Sequence, residues 1–314
     1  MSALRRRVRG IFAHRGVLQA GEPVERRQKG GVRGTESVQA GALAIRCRRD
    51  GIAGTTGRRP PAVCLKEDIG NGPRLRPLSI SGEARCLEIG GLVKLSLVDW
   101  PGEVVAVVFT RGCNFRCPWC HNRNLVEPAL FPPALPEAEV LSYLAARRRV
   151  LTGVVVSGGE PTLQESLVSF LARLKEMGYA VKLDTNGSQP RVLRNLLDKG
   201  LVDRVAVDYK VPLAEYPTRL GWPAPGAVRQ SLGLVMSHGC GEVRTTIVPG
   251  IHSPEVLRRM VRESKIDLRM YRLQPFRPGS CLDPAYDGYP TVSREHVAAL
   301  EAALRNDAVE GADV

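Results

Sequence analysis

The stretch VVAVVFTRGCNFRCPWCHN, residues 104–122, joins a run of apolar residues to three closely spaced cysteines. Residues 104–110 are rich in β-branched side chains, which predicts a strand buried on both faces. Cys113, Cys117 and Cys120 follow in a C-x3-C-x2-C spacing, and His121 comes directly after the last cysteine. A buried strand that leads straight into a loop of metal-binding residue types indicates an α/β protein with a site at the carboxyl ends of its strands.

The chain beyond this loop alternates strand and helix patterns. Further buried-type strands are predicted at 153–157, 180–185, 202–209, 242–249 and 268–276. Helical patterns follow the six strands in turn, at 136–150, 164–178, 190–200, 226–238, 254–264 and 293–305. Six such units predict a wholly parallel sheet covered by helices. The pattern leaves open whether the sheet is doubly wound or curves into a partial barrel.

Polar side chains follow several of these strands at the point where each strand ends. SGGEP (157–161) follows the second strand, DTNG (184–187) the third and DYK (208–210) the fourth, while Arg244 lies within the fifth. The carboxyl ends of parallel strands meet at one edge of a sheet, where ligands gather. We therefore expect these residues to share one site with the three cysteines.

The use of cysteine indicates a reducing compartment. The chain has eight cysteines, and no apolar segment of signal-peptide length follows its N-terminal arginines. Metal binding in the cytoplasm is therefore expected in preference to disulfides. Five of the eight cysteines have no predicted role, namely Cys47, Cys64, Cys86, Cys240 and Cys281.

Two metal centres could use the C-x3-C-x2-C loop. Tetrahedral zinc would need a fourth protein ligand, and His121 is adjacent to Cys120 and therefore badly placed to chelate the same ion. A 4Fe–4S cluster takes one thiolate per iron, so three cysteines leave one iron open for a small molecule. The number of ligands favours the cluster, with His121 as a neighbour of the site and not a ligand.

These motifs resemble those of the radical S-adenosylmethionine superfamily. The features that carry the resemblance are CNFRCPWC (113–120) and GGEP (158–161), which lies two elements further along. Within the superfamily, CHN (120–122), DTNG and VDYK (207–210) are similar to the glycyl-radical-enzyme activases, and most of all to the activating proteins of anaerobic ribonucleoside-triphosphate reductase. The resemblance covers residues 87–314 and implies a partial (β/α)6 barrel.

The resemblance also implies roles for individual residues. Cys113, Cys117 and Cys120 would hold the 4Fe–4S cluster, and Trp119 would lie against the adenine of S-adenosylmethionine unless it simply packs under the loop. The remaining cofactor-binding residues would be Gly158, Gly159, Glu160, Pro161, Asp184, Thr185, Asn186, Asp208, Lys210 and Arg244. Glu160 would accept from the methionine ammonium. Asp184, Thr185 and Asp208 would help to bind a monovalent cation, although Asp184 could instead form a turn, as could Asn186.

The activity implied is reductive cleavage of S-adenosylmethionine to a 5′-deoxyadenosyl radical, which then takes a hydrogen atom from a glycine of a partner enzyme. The expected partners are an anaerobic ribonucleotide reductase and a flavodoxin- or ferredoxin-type electron donor, with no membrane and no nucleic acid. One alternative is a radical enzyme of the deazapurine type that acts on a small molecule. Another is a non-enzymatic, metal-stabilised module that binds nucleic acid.

Residues 1–86 differ in composition from the rest of the chain. They carry a net charge of +11 out of +13, thirteen glycines and one aromatic residue, Phe12. Such a segment has too little apolar bulk to offset the entropy of ordering it, so we expect it to be largely disordered. It could be a transit peptide, a nucleic-acid-binding arm, or upstream sequence included by a misassigned start near Leu87.

Overall fold

The computed structural model describes residues 86–239 and 241–310. Residues 1–85, predicted to be largely disordered, and Cys240, which has no predicted role, lie outside the described residues. The described part contains a single seven-stranded sheet. Its strands are β1 (Ile89–Ser96), β2 (Val105–Thr110), β3 (Gly153–Gly158), β4 (Ala180–Thr185), β5 (Arg204–Asp208), β6 (Gly241–Ile247) and β7 (Tyr271–Pro275).

Every strand of the sheet pairs with its neighbours in the sequence. Strands β2 to β7 are parallel to one another, with Val108 opposite Val156 and Val156 opposite Leu183. The strand order never reverses, so successive right-handed crossovers all place their helices on the same face. This order excludes the doubly wound alternative and confirms the predicted partial (β/α)6 barrel.

The prediction of a wholly parallel sheet is wrong at one edge. Strand β1 lies antiparallel to β2, with Leu92 opposite Val108. Two irregularities interrupt its register, one of them between Ile89 and Gly91. Strand β1 contains the Gly90–Gly91 pair and the exposed residues Val93 and Leu95. It therefore lacks the continuous run of buried apolar residues that predicts the other strands.

Helices follow each parallel strand as predicted, with a few short additions. They are α1 (Arg123–Val126), α2 (Glu137–Ala146), α3 (Leu167–Glu176), α4 (Pro190–Asp198), α5 (Tyr216–Leu220), α6 (Pro225–His238), α7 (Pro254–Ser264) and α8 (Arg294–Glu310). Short 3-10 turns cover Pro128–Leu130, Pro161–Leu163, Leu213–Glu215 and Pro284–Gly288. Among the described residues, the structure contains no helix with the length and apolarity required to cross a bilayer.

The two faces of the sheet differ in polarity. The face under the helices forms the main core, where Val156, Leu183 and Val207 pack with helix residues such as Phe170 and Leu232. The opposite face is apolar only at β2 and β3, around Val105, Val107 and Val155. It becomes charged at β4 to β6, where Lys182, Asp184, Glu242 and Arg244 form ion pairs. The interior of the partial barrel is therefore apolar at β2 and β3 and charged at β4 to β6.

Candidate functional site

The cysteine loop begins where β2 ends. Gly112 has φ of 86°, a left-handed conformation that favours glycine, and it turns the chain away from the sheet. The backbone N–H of Phe115 donates to Cys113 Sγ at 3.4 Å, and that of Cys120 donates to the carbonyl of Cys117 at 3.0 Å. None of the three thiols is in a disulfide, and Cys117 is only 7% exposed.

The environment of these thiols suits a metal cluster. Burial raises the pKa of Cys113 to about 11 and also raises the pKa values of Cys117 and Cys120, while the nearby Lys210 ammonium works in the opposite direction. Bare thiolates are therefore disfavoured, and iron would supply the positive charge that they need. Three thiols on one loop, one of them buried and two partly buried, fit a 4Fe–4S cluster with one open iron.

His121 is engaged away from the thiols. Its Nε2 hydrogen-bonds the carbonyl oxygen of Arg277, and its ring stacks on Phe276 with centroids 5.5 Å apart. A carbonyl oxygen can only accept, so Nε2 carries the hydrogen and is not available to a metal. Only Nδ1 would be free to coordinate a metal, and the role of His121 as a neighbour of the site and not a ligand stays a prediction.

The two glycines of the GGEP motif bring the cysteine loop close to the end of β3. A Cβ on Gly158 would lie 2.3 Å from Thr110 N, and one on Gly159 would lie 2.0 Å from Gly112 O. The backbone N–H of Glu160 donates to that same carbonyl of Gly112 at 2.8 Å. Glycine is thus required here for contact within the chain, a reason that the sequence motif did not reveal.

Glu160 lies at the centre of a buried hydrogen-bond network and is 0% exposed. Its Oε1 accepts from the backbone N–H of Thr162 at 3.0 Å and from the hydroxyls of Thr162 and Thr185. Its Oε2 accepts from the backbone N–H of Asn186 at 2.6 Å. Burial raises the pKa of Glu160, and these donors offset part of the rise. The carboxyl thus joins the ends of β3 and β4.

Arg244 joins the ends of three strands through its ion pairs. Its guanidinium lies 3.1 Å from Asp184 Oδ2 and 2.8 Å from Asp208 Oδ1. Lys210 lies 3.3 Å from Asp208 Oδ2. Burial alone would raise the pKa of Asp208, but the Arg244 and Lys210 cations more than offset it and lower that pKa to about 2. The predicted charged residues are therefore together at the rim.

The oxygens predicted to bind a monovalent cation do not converge on one point. Arg244 lies between the carboxylates of Asp184 and Asp208, while Thr185 faces Glu160 on the other side of β4. No three His, Cys, Asp or Glu side chains in residues 86–239 and 241–310 are grouped so as to hold a single metal ion. Cation binding at this place remains a prediction.

Trp119 is buried and contacts two other rings, one edge-on and one tilted. Its ring centroid lies 6.4 Å from that of His252 and 5.9 Å from that of Tyr286. His252, which sequence reasoning missed, accepts from the backbone N–H of Val248 and donates to the carbonyl of Lys210 at 2.8 Å. Its position shortly after β6 could have predicted its place at the rim, because polar residues that follow other strands were predicted to lie there.

A segment after β7 contacts the cysteine loop at several points. We call residues 276–289 the strap. Besides the His121 contacts, the backbone N–H of Asp283 donates to the carbonyl of Pro118 at 2.8 Å. Cys281 is fully buried within the strap, and its N–H donates to Asp287 Oδ1 at 2.8 Å. The strap therefore holds residues on both sides of Cys120.

Comparison with known proteins identifies the class to which this fold and rim belong. The profile described as the Radical SAM superfamily matches residues 107–263. The chain belongs to that superfamily, as its cysteine and GGEP motifs had indicated. Membership implies a 4Fe–4S cluster and S-adenosylmethionine as cofactors, and it makes the chain a radical SAM enzyme.

Individual proteins are similar to this chain to different extents. A protein of Methanocaldococcus jannaschii, provisionally named a glycyl-radical enzyme activating enzyme, is 33% identical over 210 residues, which are 64% of this chain and 85% of that protein. The 7-carboxy-7-deazaguanine synthase of Clostridium acetobutylicum is 30% identical over 112 residues, 35% of this chain and 49% of that enzyme. A solved structure of TYW1 with a lysine–pyruvate adduct aligns with a TM-score of 0.47 at 13% identity, covering 64% of this chain and 73% of that one.

Proposed function

We propose that this enzyme activates a glycyl-radical enzyme, namely an anaerobic ribonucleotide reductase. The observation that carries the proposal is the similarity to the M. jannaschii protein, because it covers 85% of that protein's length. The deazaguanine synthase of C. acetobutylicum is matched over only 49% of its length. The reductase as partner, and a flavodoxin- or ferredoxin-type electron donor, rest on the resemblance of the motifs.

Several residues of the rim would take part in the proposed reaction. A bound, reduced cluster would supply one electron for the cleavage of S-adenosylmethionine into methionine and a 5′-deoxyadenosyl radical, and that radical would take a hydrogen atom from the partner's glycine. Cys113, Cys117 and Cys120 would hold the cluster. Glu160 and the ends of β3 and β4 would border the methionine part.

The charged and aromatic residues would orient the rest of the cofactor. Lys210 and Arg244 would attract the methionine carboxylate, since both cations lie at the rim. Trp119 would pack near the adenine and keep water away from it. A monovalent cation near Asp184, Thr185 and Asp208 would have to displace Arg244 from the two carboxylates. A change in S-adenosylmethionine affinity on addition of Na⁺ or K⁺ would show that a cation binds there.

The test is anaerobic incubation of the reduced enzyme with S-adenosylmethionine and a glycyl-radical enzyme from the same genome. The expected result is 5′-deoxyadenosine together with the electron paramagnetic resonance doublet of a glycyl radical on the partner. A partner whose glycine is changed to alanine is the matched control. Cleavage of S-adenosylmethionine without any radical on the partner would contradict the proposal.

A second candidate is modification of a small molecule. It is favoured by the partial matches to several deazaguanine synthases, one of which, from Rhodospirillum rubrum, is 36% identical over 139 residues. Incubation with deazapurine precursors distinguishes the two functions. Turnover of such a precursor in the absence of a protein partner would establish the second candidate.

A further inference from the structure

The side chain of Asn186 reaches the first cysteine of the loop. Asn186 directly follows β4 and is only 5% exposed. Its Nδ2 lies 3.8 Å from Cys113 Sγ, within hydrogen-bond range for a sulfur acceptor. Because Cys113 belongs to the loop after β2, this contact joins two separate strand ends.

The network around Asn186 fixes which end of its amide faces the sulfur. The backbone N–H of Ser188 donates to Asn186 Oδ1 at 2.9 Å, so the oxygen points toward residue 188. The Nδ2 group donates to Asn114 Oδ1 at 2.8 Å, and Asn114 Nδ2 in turn donates to Ser188 Oγ at 2.9 Å. The NH2 group must therefore face Cys113, since the reversed amide would place two N–H groups against each other.

The backbone of Asn186 is fixed as firmly as its side chain. Its N–H donates to Glu160 Oε2 at 2.6 Å, at the centre of the buried network described above. The amide thus has little freedom to turn away from the sulfur. An N–H···S bond gains strength when the thiol becomes a thiolate, because it is then charge-assisted.

We propose that Asn186 is a positioning residue that donates a hydrogen bond to the Cys113 thiolate and makes the cluster easier to reduce. Reduction adds negative charge that spreads onto the thiolate ligands, so a donor to one of them stabilises the reduced form more than the oxidised form. This role differs from the cofactor contact that the motif resemblance implied for Asn186. It rests on the proposed cluster at Cys113, Cys117 and Cys120.

The test compares two substitutions with a matched control in the full-length, anaerobically reconstituted enzyme. Asn186→Leu removes the donor. Asn186→Asp has nearly the same volume and keeps an acceptor for the Ser188 N–H, but it replaces the donor by a negative charge. Ser188→Ala removes only the Oγ that accepts from Asn114, and it keeps the backbone N–H that orients Asn186.

The readouts are iron content and the midpoint potential of the cluster, followed by electron paramagnetic resonance. At the wild-type midpoint, the ratio of reduced to oxidised cluster should fall about threefold to tenfold in Asn186→Leu, where tenfold corresponds to 59 mV for one electron. The fall should be larger in Asn186→Asp, and Ser188→Ala should match the wild type. Wild-type potentials in both Asn186 variants at full iron content would overturn the inference.

A measurement on the wild-type enzyme covers the case in which neither variant assembles a cluster. Asparagine labelled with ¹⁵N only in its side-chain amide should give a ¹⁵N hyperfine coupling to the reduced cluster in electron–nuclear double resonance. Absence of that coupling would overturn the inference. Absence of iron from the wild-type enzyme would instead refute the proposed cluster, so the two failures are distinguishable.

Discussion

Replacing Glu160 by glutamine tests whether its buried network holds the rim together. The amide of the new glutamine has two possible orientations. Its NH2 group can take the place of Oε2, where it faces the backbone N–H of Asn186, or of Oε1, where it faces the three donors from Thr162 and Thr185. The first orientation is cheaper. It loses one charge-assisted bond, about 1.5–3 kcal/mol, and leaves a buried donor unpaired, about 1–3 kcal/mol. Burial already disfavours the charged form of Glu160, as its raised pKa indicates. We therefore expect the substitution to lower the free energy of unfolding by about 3 kcal/mol, near the low end of the sum of these two contributions.

The assay is urea unfolding of the full-length, reconstituted protein under anaerobic conditions. Thr162→Val is the control, because it removes one hydroxyl donor to Oε1 and keeps the backbone N–H of Thr162; it should cost about 1 kcal/mol. Affinity for S-adenosylmethionine is measured separately, below the unfolding transition. A Glu160→Gln protein within about 1 kcal/mol of the wild type would show that the carboxyl does not make these four bonds in solution.

Four further changes test other parts of the structure. Cys117→Ala should abolish the brown colour and the roughly four irons per chain expected for one cubane; retention of the full iron content would contradict the ligand set. Arg244→Met should cost about 3 kcal/mol, because it leaves two carboxylates less well paired, whereas Arg244→Lys should cost less in the same urea titration. Folding lowers the pKa of Asp208 from 3.8 to about 2. The contribution of Asp208 to stability is therefore present above pH 3.8 and is lost as the pH falls through about 2. Asp208→Asn should flatten this part of the curve of unfolding free energy against pH. A chain of residues 87–314 should match the full-length chain in unfolding midpoint and iron content, because residues 1–86 have little apolar bulk to bury, with thirteen glycines and one aromatic residue. Loss of folding would show that the preceding residues matter.

The sequence predicted the parallel strands and the position of the loop because both are local properties. Buried β-branched runs such as 104–110 can be recognised from their own composition, and a loop that follows a parallel strand must lie at the carboxyl edge. Strand β1 was missed because its pattern combines two glycines with exposed apolar residues. It is defined by pairing with β2 and not by its own composition.

The contacts that shape the site could not be predicted in this way. The sequence placed Asp184, Asp208 and Arg244 at one rim, but not the guanidinium between the two carboxylates. That arrangement depends on strand register, which sets Asp208 opposite Arg244. Likewise, the sequence predicted that the GGEP glycines give the cofactor close access to the backbone. The structure shows that Gly158 and Gly159 are needed for close contact with Thr110 and Gly112.

The cysteine loop owes its shape to residues that are distant in the chain. Asn186 holds Cys113 from the end of β4, and the strap holds Pro118 and His121 on either side of Cys120. His121 is separated from Arg277 by 156 positions, so no sequence pattern around the cysteines could have revealed its partner. The conformation of the cysteine loop therefore depends on β4 and the strap, and the residues next to the cysteines do not determine it alone.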